Sequence, residues 1–294
     1  MDSAVDDDAM AIDESVDAAP LVTATGGTVD LLNFGVFGDV RPNTQDDTAN
    51  YPTAVFTQVI DGMVSLSPQF IVGTGDYMYV ATFHAPIVTA QLDIFQSVEQ
   101  RYSGHVFHAL GNHECTGGTA SNCPSGNETP NILAFRARLI ADEPALYYDF
   151  TVHTSMGDAH FIVTAPNAWS TAQATWLNTA LAQTAHYTFV VAHEPPTSPG
   201  PPPGSVPIET AISARSPAVT LRMYGHTHDY RQIDTNAVIA GNAGAPLSGT
   251  NGTYGFASVM QRADGDIVVT EYSIGRPPMA MGSFVVHADG TQSQ

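Results

Sequence analysis

Five clusters of metal-capable side chains punctuate this 294-residue chain, each placed directly after an apolar run. Gly38-Asp39 closes the first run, Gly75-Asp76-Tyr77-Met78-Tyr79 the second and Gly111-Asn112-His113-Glu114 the third. His193 then ends Val190-Val191-Ala192-His193, and Gly225-His226-Thr227-His228 completes the series. Carboxylates, imidazoles, an amide and a phenol suit hard or borderline transition metals, and the clusters hold no thiol for soft-metal or iron–sulfur chemistry. The candidate ligands Asp39, Asp76, Tyr79, Asn112, His193, His226 and His228 exceed the roughly four that a single zinc takes. Two ions sharing a bridging carboxylate is the economical reading. The glycines before the ligands (Gly38, Gly75, Gly111, Gly225) suit a backbone that turns sharply and approaches the metals closely. A lone histidine after a strand is more often structural than a ligand, and His105, His108, His153, His160, His186 and His287 receive that assignment.

Rigid elements have to carry these clusters to one place. Residues 29–38, 69–75, 105–110, 186–192 and 218–224 read as buried strands rich in Val, Phe, Ile and Tyr. Helices are predicted over 52–66, 86–102 and 170–184, the second with Ile87, Leu92, Ile94, Phe95 and Val98 on one face and the third opening on Ser170 as N-cap. Further helices are expected near 130–140 and 207–215, and short alternating strands from Gly255 to His287 suggest a second sheet. Strand–helix alternation of this kind predicts an α/β sandwich. Ligands collect at the C-terminal edge of such a sheet, so the strand ends imply one composite site. The proline-rich piece Pro195–Pro207 reads as a loop, either a surface excursion or a wall of that site.

The ordered clusters resemble those of the calcineurin-like metallophosphoesterases and are most similar to the purple acid phosphatases, whose pattern is GDxG, GDxxY, GNH(D/E), VxxH and GHxH. Four of the five blocks match in full and in order, from Gly38 to His228. The resemblance implies a four-layer αββα sandwich carrying two metal ions. It implies a first ion held by Asp39, Tyr79 and His228, a second by Asn112, His193 and His226, and Asp76 as the bridge. Tyr79 in place of the histidine used by other relatives implies an Fe(III) paired with Fe(II), Zn(II) or Mn(II). A metal-bound hydroxide attacking a small phosphorylated substrate, most simply a phosphate monoester, is the implied reaction. His113 is the implied catalytic histidine, with Glu114 orienting it. Glu194 and prolines stand where the family often has a further histidine, which leaves His84 or Tyr77 as contributors to leaving-group protonation.

The departure is Arg41, where the purple pattern has Gly. Three orientations are open: it clamps a phosphate oxygen as a substrate-binding residue, it pairs with Asp46 or Asp47, or it hinders the first metal. Two alternatives to a monoesterase also stand. One is a phosphodiesterase or nucleotide hydrolase on the same fold; the other is a non-catalytic metal-binding or scaffold domain. Substrate choice is expected to rest on residues 115–130 and 195–207.

Composition bounds the rest. With 29 acids against 9 bases, all arginine, the net charge of -20 argues against a nucleic-acid groove. No run approaches the roughly 18 apolar residues of a membrane span. Seven acids and no base fall within residues 1–20, so residues 1–28 are expected to form a disordered acidic tether before a single metallophosphoesterase domain over 29–294. Metal ions would be needed to turn so acidic a pocket toward phosphate. Cys115 and Cys123, eight positions apart, either close a small disulfide loop or remain unrelated thiols. Met1 is followed by no basic start and no apolar stretch, which reads as trimming at a processing site. Export to a periplasmic, cell-envelope or extracellular location is the corresponding expectation, with an N-terminal anchor in the precursor left open.

Overall fold

The computed structural model describes residues 21–82, 84–116, 123, 129–249 and 252–292. A short hairpin, β1 (Val22–Thr23) and β2 (Gly26–Thr28), comes first. Then β3 (Asn33–Phe37), α1 (Thr53–Ser65), β4 (Phe70–Gly73), α2 (Ala85–Glu99) and β5 (His105–His108) form a strand–helix alternation. Two helices, α3 (Asn112–Thr116) and α4 (Pro130–Leu139), lead to the hairpin β6 (Tyr148–Thr154) and β7 (Gly157–Val163). The alternation resumes with α5 (Thr171–Leu181), β8 (Tyr187–Val191), α6 (Ser205–Ser213) and β9 (Leu221–Tyr224). The chain closes through β10 (Tyr230–Asp234), β11 (Ala237–Ala240), β12 (Gly255–Gln261), β13 (Ile267–Ser273) and β14 (Met279–Val286).

Two sheets form. One has eight strands in the order β1-β2-β6-β7-β8-β9-β11-β10, the other six in the order β14-β13-β12-β3-β4-β5. Inward-facing phenylalanines join them: Phe34 and Phe70 of the smaller sheet meet Phe161 of the larger edge-on, both at 5.3 Å, and Phe107 stacks on Phe150 at 3.5 Å. Rings bury large apolar areas and add geometric preference, so this seam fixes how the two sheets face each other. Outward residues alternate with these. Ile162 of β7 and Val190 of β8 pack with Leu177 of α5 and Ile208 of α6 on the far side of the larger sheet. Helices α1 and α2 supply Phe56 and Phe95, stacked on each other at 5.0 Å and packed beside Phe37 of the smaller sheet. The result is the αββα arrangement.

Ser170 caps α5 as expected, its hydroxyl accepting from the Gln173 amide at 3.1 Å. The expected tether boundary at residue 28 is displaced. Val22 is fully buried and β2 adds parallel to β6, with the Val29 amide donating to the His153 carbonyl at 2.9 Å. Sheet edges recruit strands through backbone hydrogen bonds, for which a small-residue composition is no obstacle. The expectation for residues 1–20 lies outside the described residues. Helix α6 begins at Ser205, inside the piece expected to be loop.

Candidate metal centre

Strands β3, β4 and β5 are parallel and stop together, Phe37 beside Gly73 beside His108. Asp39, Asp76 and Asn112 therefore emerge along one line. In the facing sheet Val191 of β8 pairs with Met223 of β9, and His193 and His226 follow. The chain reverses sharply at these points. Asp39, Asp76, His226 and His228 all have left-handed backbones, with φ of 61°, 62°, 74° and 51°. Each such residue costs roughly 1 kcal/mol or more, held only because surrounding bonds over-determine it. Gly111 is needed for close approach: a Cβ there would collide with the Asp76 carboxylate and lie 2.7 Å from the Glu114 carboxylate.

Two groups of donors result, and they share Asp76. Asp76, His193 and His226 form one, and Asp39, Asp76 and His228 the other, with the donor atoms of each group all within 4.8 Å of one another. Asn112 joins the first group, its Oδ1 lying 3.0 Å from His193 Nε2 and 3.1 Å from His226 Nδ1. Tautomers follow from the outer contacts. His193 Nδ1 faces the Thr74 carbonyl at 2.9 Å and His228 Nδ1 the Pro246 carbonyl at 2.9 Å, so in the neutral rings both Nε2 lone pairs point into the cleft.

Two features fit metal ions. Asp39 Oδ1 is buried and has no hydrogen-bond partner among the described residues. His193 Nε2 stands 3.2 Å from Asp76 Oδ1 as well as 3.0 Å from Asn112 Oδ1, so a lone-pair nitrogen and two oxygens converge with nothing but a proton or a cation to reconcile them.

Charge tells the same story. Burial, reinforced by the charge of Asp76 and opposed by His193 and Arg41, raises the Asp39 carboxyl to about 8. Burial also works against ionised Asp76, yet His193, His113 and Arg41 outweigh it and hold that carboxyl well below its ordinary value. For His193 the order is reversed: burial opposes the cation, but Asp76, Asp39 and Glu194 raise it to about 10. Burial, helped by the nearby cationic groups His193 and Arg41, keeps His226 and His228 neutral, both lowered to about 4. Without an ion, then, His193 carries the positive charge that balances Asp76 and Asp39 keeps its proton; a metal would have to displace both protons, whereas His226 and His228 are already neutral.

Several expected residues take unexpected partners. Glu114 does not orient His113. Its carboxylate accepts from the backbone amides of Gly111 and Asp76, both at 2.9 Å, and of Tyr77 at 2.7 Å, tying the Asn112 turn to the Asp76 turn. His113 is buried, with Nε2 3.6 Å from Asp76 Oδ2 and its ring edge-on to Tyr79 at 4.3 Å. Tyr77 is fully buried, its hydroxyl accepting from the Gly75 amide at 3.1 Å, and burial raises its pKa well above the usual phenol range. It is a core residue and no leaving-group acid. His84 pairs with Asp46 at 2.8 Å. Tyr79 lines the pocket beneath Arg41, whose guanidinium carbon lies 4.9 Å above the phenol ring. Arg41 does not pair with Asp46 or Asp47; it reaches His228 and Asp76 instead.

Two supporting residues are missed by motif reading. The Tyr51 hydroxyl lies 2.7 Å from the carbonyls of both Val40 and Tyr77 and so bridges the turns after β3 and β4. Buried Gln91 of α2 accepts from the Tyr79 amide at 2.8 Å. Neither stands in a ligand block, and only the packing of α1 and α2 brings them in. Cys115 and Cys123 are joined as a disulfide. Most of the loop between Cys115 and Pro130 lies outside the described residues.

An αββα sandwich with carboxylate and imidazole groups converging at facing strand ends defines a metallophosphoesterase. Residues 32–230 match the calcineurin-like phosphoesterase family, and the chain belongs to it. This is a family of metal-dependent phosphoester hydrolases. Among curated proteins none matches the sequence. Solved structures of similar fold include the purple acid phosphatase PPD1 from yellow lupin (Lupinus luteus) seeds, with a TM-score of 0.62 and 18% identity over 87% of this chain. This chain spans 53% of the lupin enzyme's length. GAP50, described as the anchor in the inner membrane complex of Plasmodium, has a TM-score of 0.59 and 17% identity over 88% of this chain and 90% of its own. A dimetal phosphatase from Danio rerio has a TM-score of 0.59 and 13% identity over 88% of this chain and all of its own (100%). At such identities the likeness is one of fold.

Proposed function

We propose that the chain is a dimetal phosphomonoesterase of the purple acid phosphatase type. The observation that carries this reading is the pair of donor groups sharing buried Asp76. Asp39, Tyr79 and His228 would hold an Fe(III), and Asn112, His193 and His226 an Fe(II), Zn(II) or Mn(II), with Asp76 between them. When bound, such ions polarise phosphoryl oxygens and lower the pKa of bound water toward ~7. The chain's own residues do the positioning. Asp39 and Asp76 set the spacing of the two groups, and the outer contacts of His193 and His228 fix their tautomers. Arg41, once an ion has displaced it from His228, brings a cation to the edge of the centre for a phosphoryl oxygen, in the bidentate geometry that suits guanidinium. His113, buried against Asp76 and Tyr79, is placed to hydrogen-bond the phosphoryl group or its leaving oxygen.

A phosphodiesterase would use the same centre. A scaffold role is the alternative of another class, given that the Plasmodium protein of similar fold is described as an anchor. Against it stand the two donor groups that share Asp76, held at a strain cost in four left-handed residues. The disulfide Cys115–Cys123 is compatible with an oxidising compartment, and we propose that the protein is exported. No helix among the described residues is long and apolar enough to cross a membrane.

Colour and metal content test the reading. A visible charge-transfer band lost in Tyr79→Phe, with faster turnover of a chromogenic monoester than of its diester, is the expected result. A colourless protein holding two zinc or manganese ions would replace the purple assignment with a general metallophosphoesterase. Metal without turnover of either ester would favour the scaffold.

A further inference from the structure

Arg41 reaches into one donor group and touches the other only through the shared Asp76. Its Nη2 lies 3.0 Å from His228 Nε2 and its Nε 3.7 Å from Asp76 Oδ2, while Asp39 Oδ1 stands 3.5 Å from the same His228 nitrogen. The guanidinium is therefore a cation set among the very atoms that a first metal would need. His228 Nδ1 is committed to the Pro246 carbonyl, so Nε2 offers one lone pair, and Arg41 takes it. Among the described residues, the two acids that next follow it in sequence do not draw the guanidinium elsewhere. Asp46 accepts from the Ala81 amide and pairs with His84, each at 2.8 Å, and Asp47 holds Asn50 at 2.8 Å. The Tyr79 ring lies under the guanidinium, and Nη1 donates to the Pro42 carbonyl at 3.1 Å. In the other group no arginine among the described residues reaches Asn112, His193 or His226, which meet at Asp76 Oδ1 and Asn112 Oδ1.

We propose that Arg41 competes with a metal ion for the Asp39–Asp76–His228 group, so that the centre loads unequally: the group of Asp76, Asn112, His193 and His226 fills first. This rests on the metal-centre reading above. Occupation of the first group requires the guanidinium to leave, and a trivalent ion, attracted more strongly by Asp39 and Asp76, displaces it more readily than a divalent one. Arg41 thereby becomes the residue that sets metal stoichiometry and favours a highly charged ion in that group.

Equilibrium dialysis of the metal-free full chain against Zn(II), read by elemental analysis, tests the proposal. The wild-type chain is expected to bind one zinc tightly and a second at least about tenfold more weakly, the scale on which outer contacts change metal affinity. Arg41→Gly should bring the second affinity within about threefold of the first. Arg41→Gln, which keeps most of the stem and loses the charge, should do the same and guards against a packing defect at Gly; melting curves show whether each variant is folded. Two indistinguishable affinities in the wild-type chain, or an unchanged spread in both folded variants, would overturn the role of Arg41 while leaving the metal centre standing. Failure of the folded wild-type chain to bind zinc at all would overturn the metal-centre reading and this inference with it.

Discussion

The two sheets bring different atoms to the centre. The six-stranded sheet presents the oxygens of Asp39, Asp76 and Asn112, with the Tyr79 ring beside them under Arg41, while the eight-stranded sheet presents the nitrogens of His193, His226 and His228. The oxygen side is braced largely within its own sheet and helices. Glu114 gathers three backbone amides, Tyr51 bridges two turns and Gln91 holds Tyr79. The nitrogen side leans across the seam: His193 faces the Thr74 carbonyl, and the His226 amide donates to Asp39 Oδ2 at 2.8 Å. One side is preorganised and the other is aimed by contact with it. Ions shared by the two groups would complete the cross-sheet connection.

The largest test of that contrast is Asp76→Asn, which removes the carboxylate that both groups share. Turnover and metal content should both collapse, with activity falling by more than the ~100-fold that loss of a supporting contact costs. Full metal content in the variant would break the picture of Asp76 as the common member. Glu114→Gln comes next. The glutamine oxygen can keep either the Asp76 and Gly111 amides or the Tyr77 amide, but its nitrogen cannot accept from the others, so metal affinity should drop by about 10- to 100-fold. A drop confined to pH behaviour of the leaving group, with affinity intact, would instead return Glu114 to His113.

Motif reading and packing divide the site between them. The candidate ligand blocks were legible because each follows a short, largely apolar strand; that β3, β4 and β5 end in register emerges only in the structure. The role of Glu114 was not legible: the block places it beside His113 in sequence, whereas the α3 turn points its carboxylate back at Asp76 and Tyr77. Tyr51 and Gln91 carry no motif and act through tertiary packing alone. The direction of Arg41 was undetermined, since Asp46 and Asp47 are nearer in sequence than His228; His84 and Asn50 satisfy those acids and release Arg41 to the cleft. In the fold, the hairpin β6–β7 and the pairing of β2 with β6 escaped the reading; Tyr148, Phe150 and Val152 do alternate along β6, but which strand pairs with which is set by backbone hydrogen bonds that periodicity does not encode.

Metal removal measures the cross-sheet connection directly. An ion bound at about 100 times its Kd adds ~2.7 kcal/mol to a folded chain by mass action. For a domain of this size that corresponds to a melting shift of roughly 5–10 °C between metal-loaded protein and protein treated with a chelator. Equal melting temperatures would mean that the phenylalanine seam alone sets the spacing of the sheets and that the centre adds no rigidity to it.

The smallest effect is expected outside the centre and serves as its control. Glu143 lies between α4 and β6, and burial, with the charges of Asp142 and Asp149, raises its carboxyl to about 7. A carboxyl raised on folding favours the folded state fully below its unfolded value near 4.5, and that contribution is lost as pH climbs through 7. Glu143 is only partly buried, so solvent screens the effect to a degree or two in melting temperature, on the order of surface electrostatics. Glu143→Gln should flatten this slope between pH 4.5 and 7.5 in metal-free and metal-loaded protein alike. If the flattening appeared only in the metal-loaded form, Glu143 would be coupled to the centre, and the division between a braced oxygen side and a dependent nitrogen side would have to be redrawn to include the link between α4 and β6.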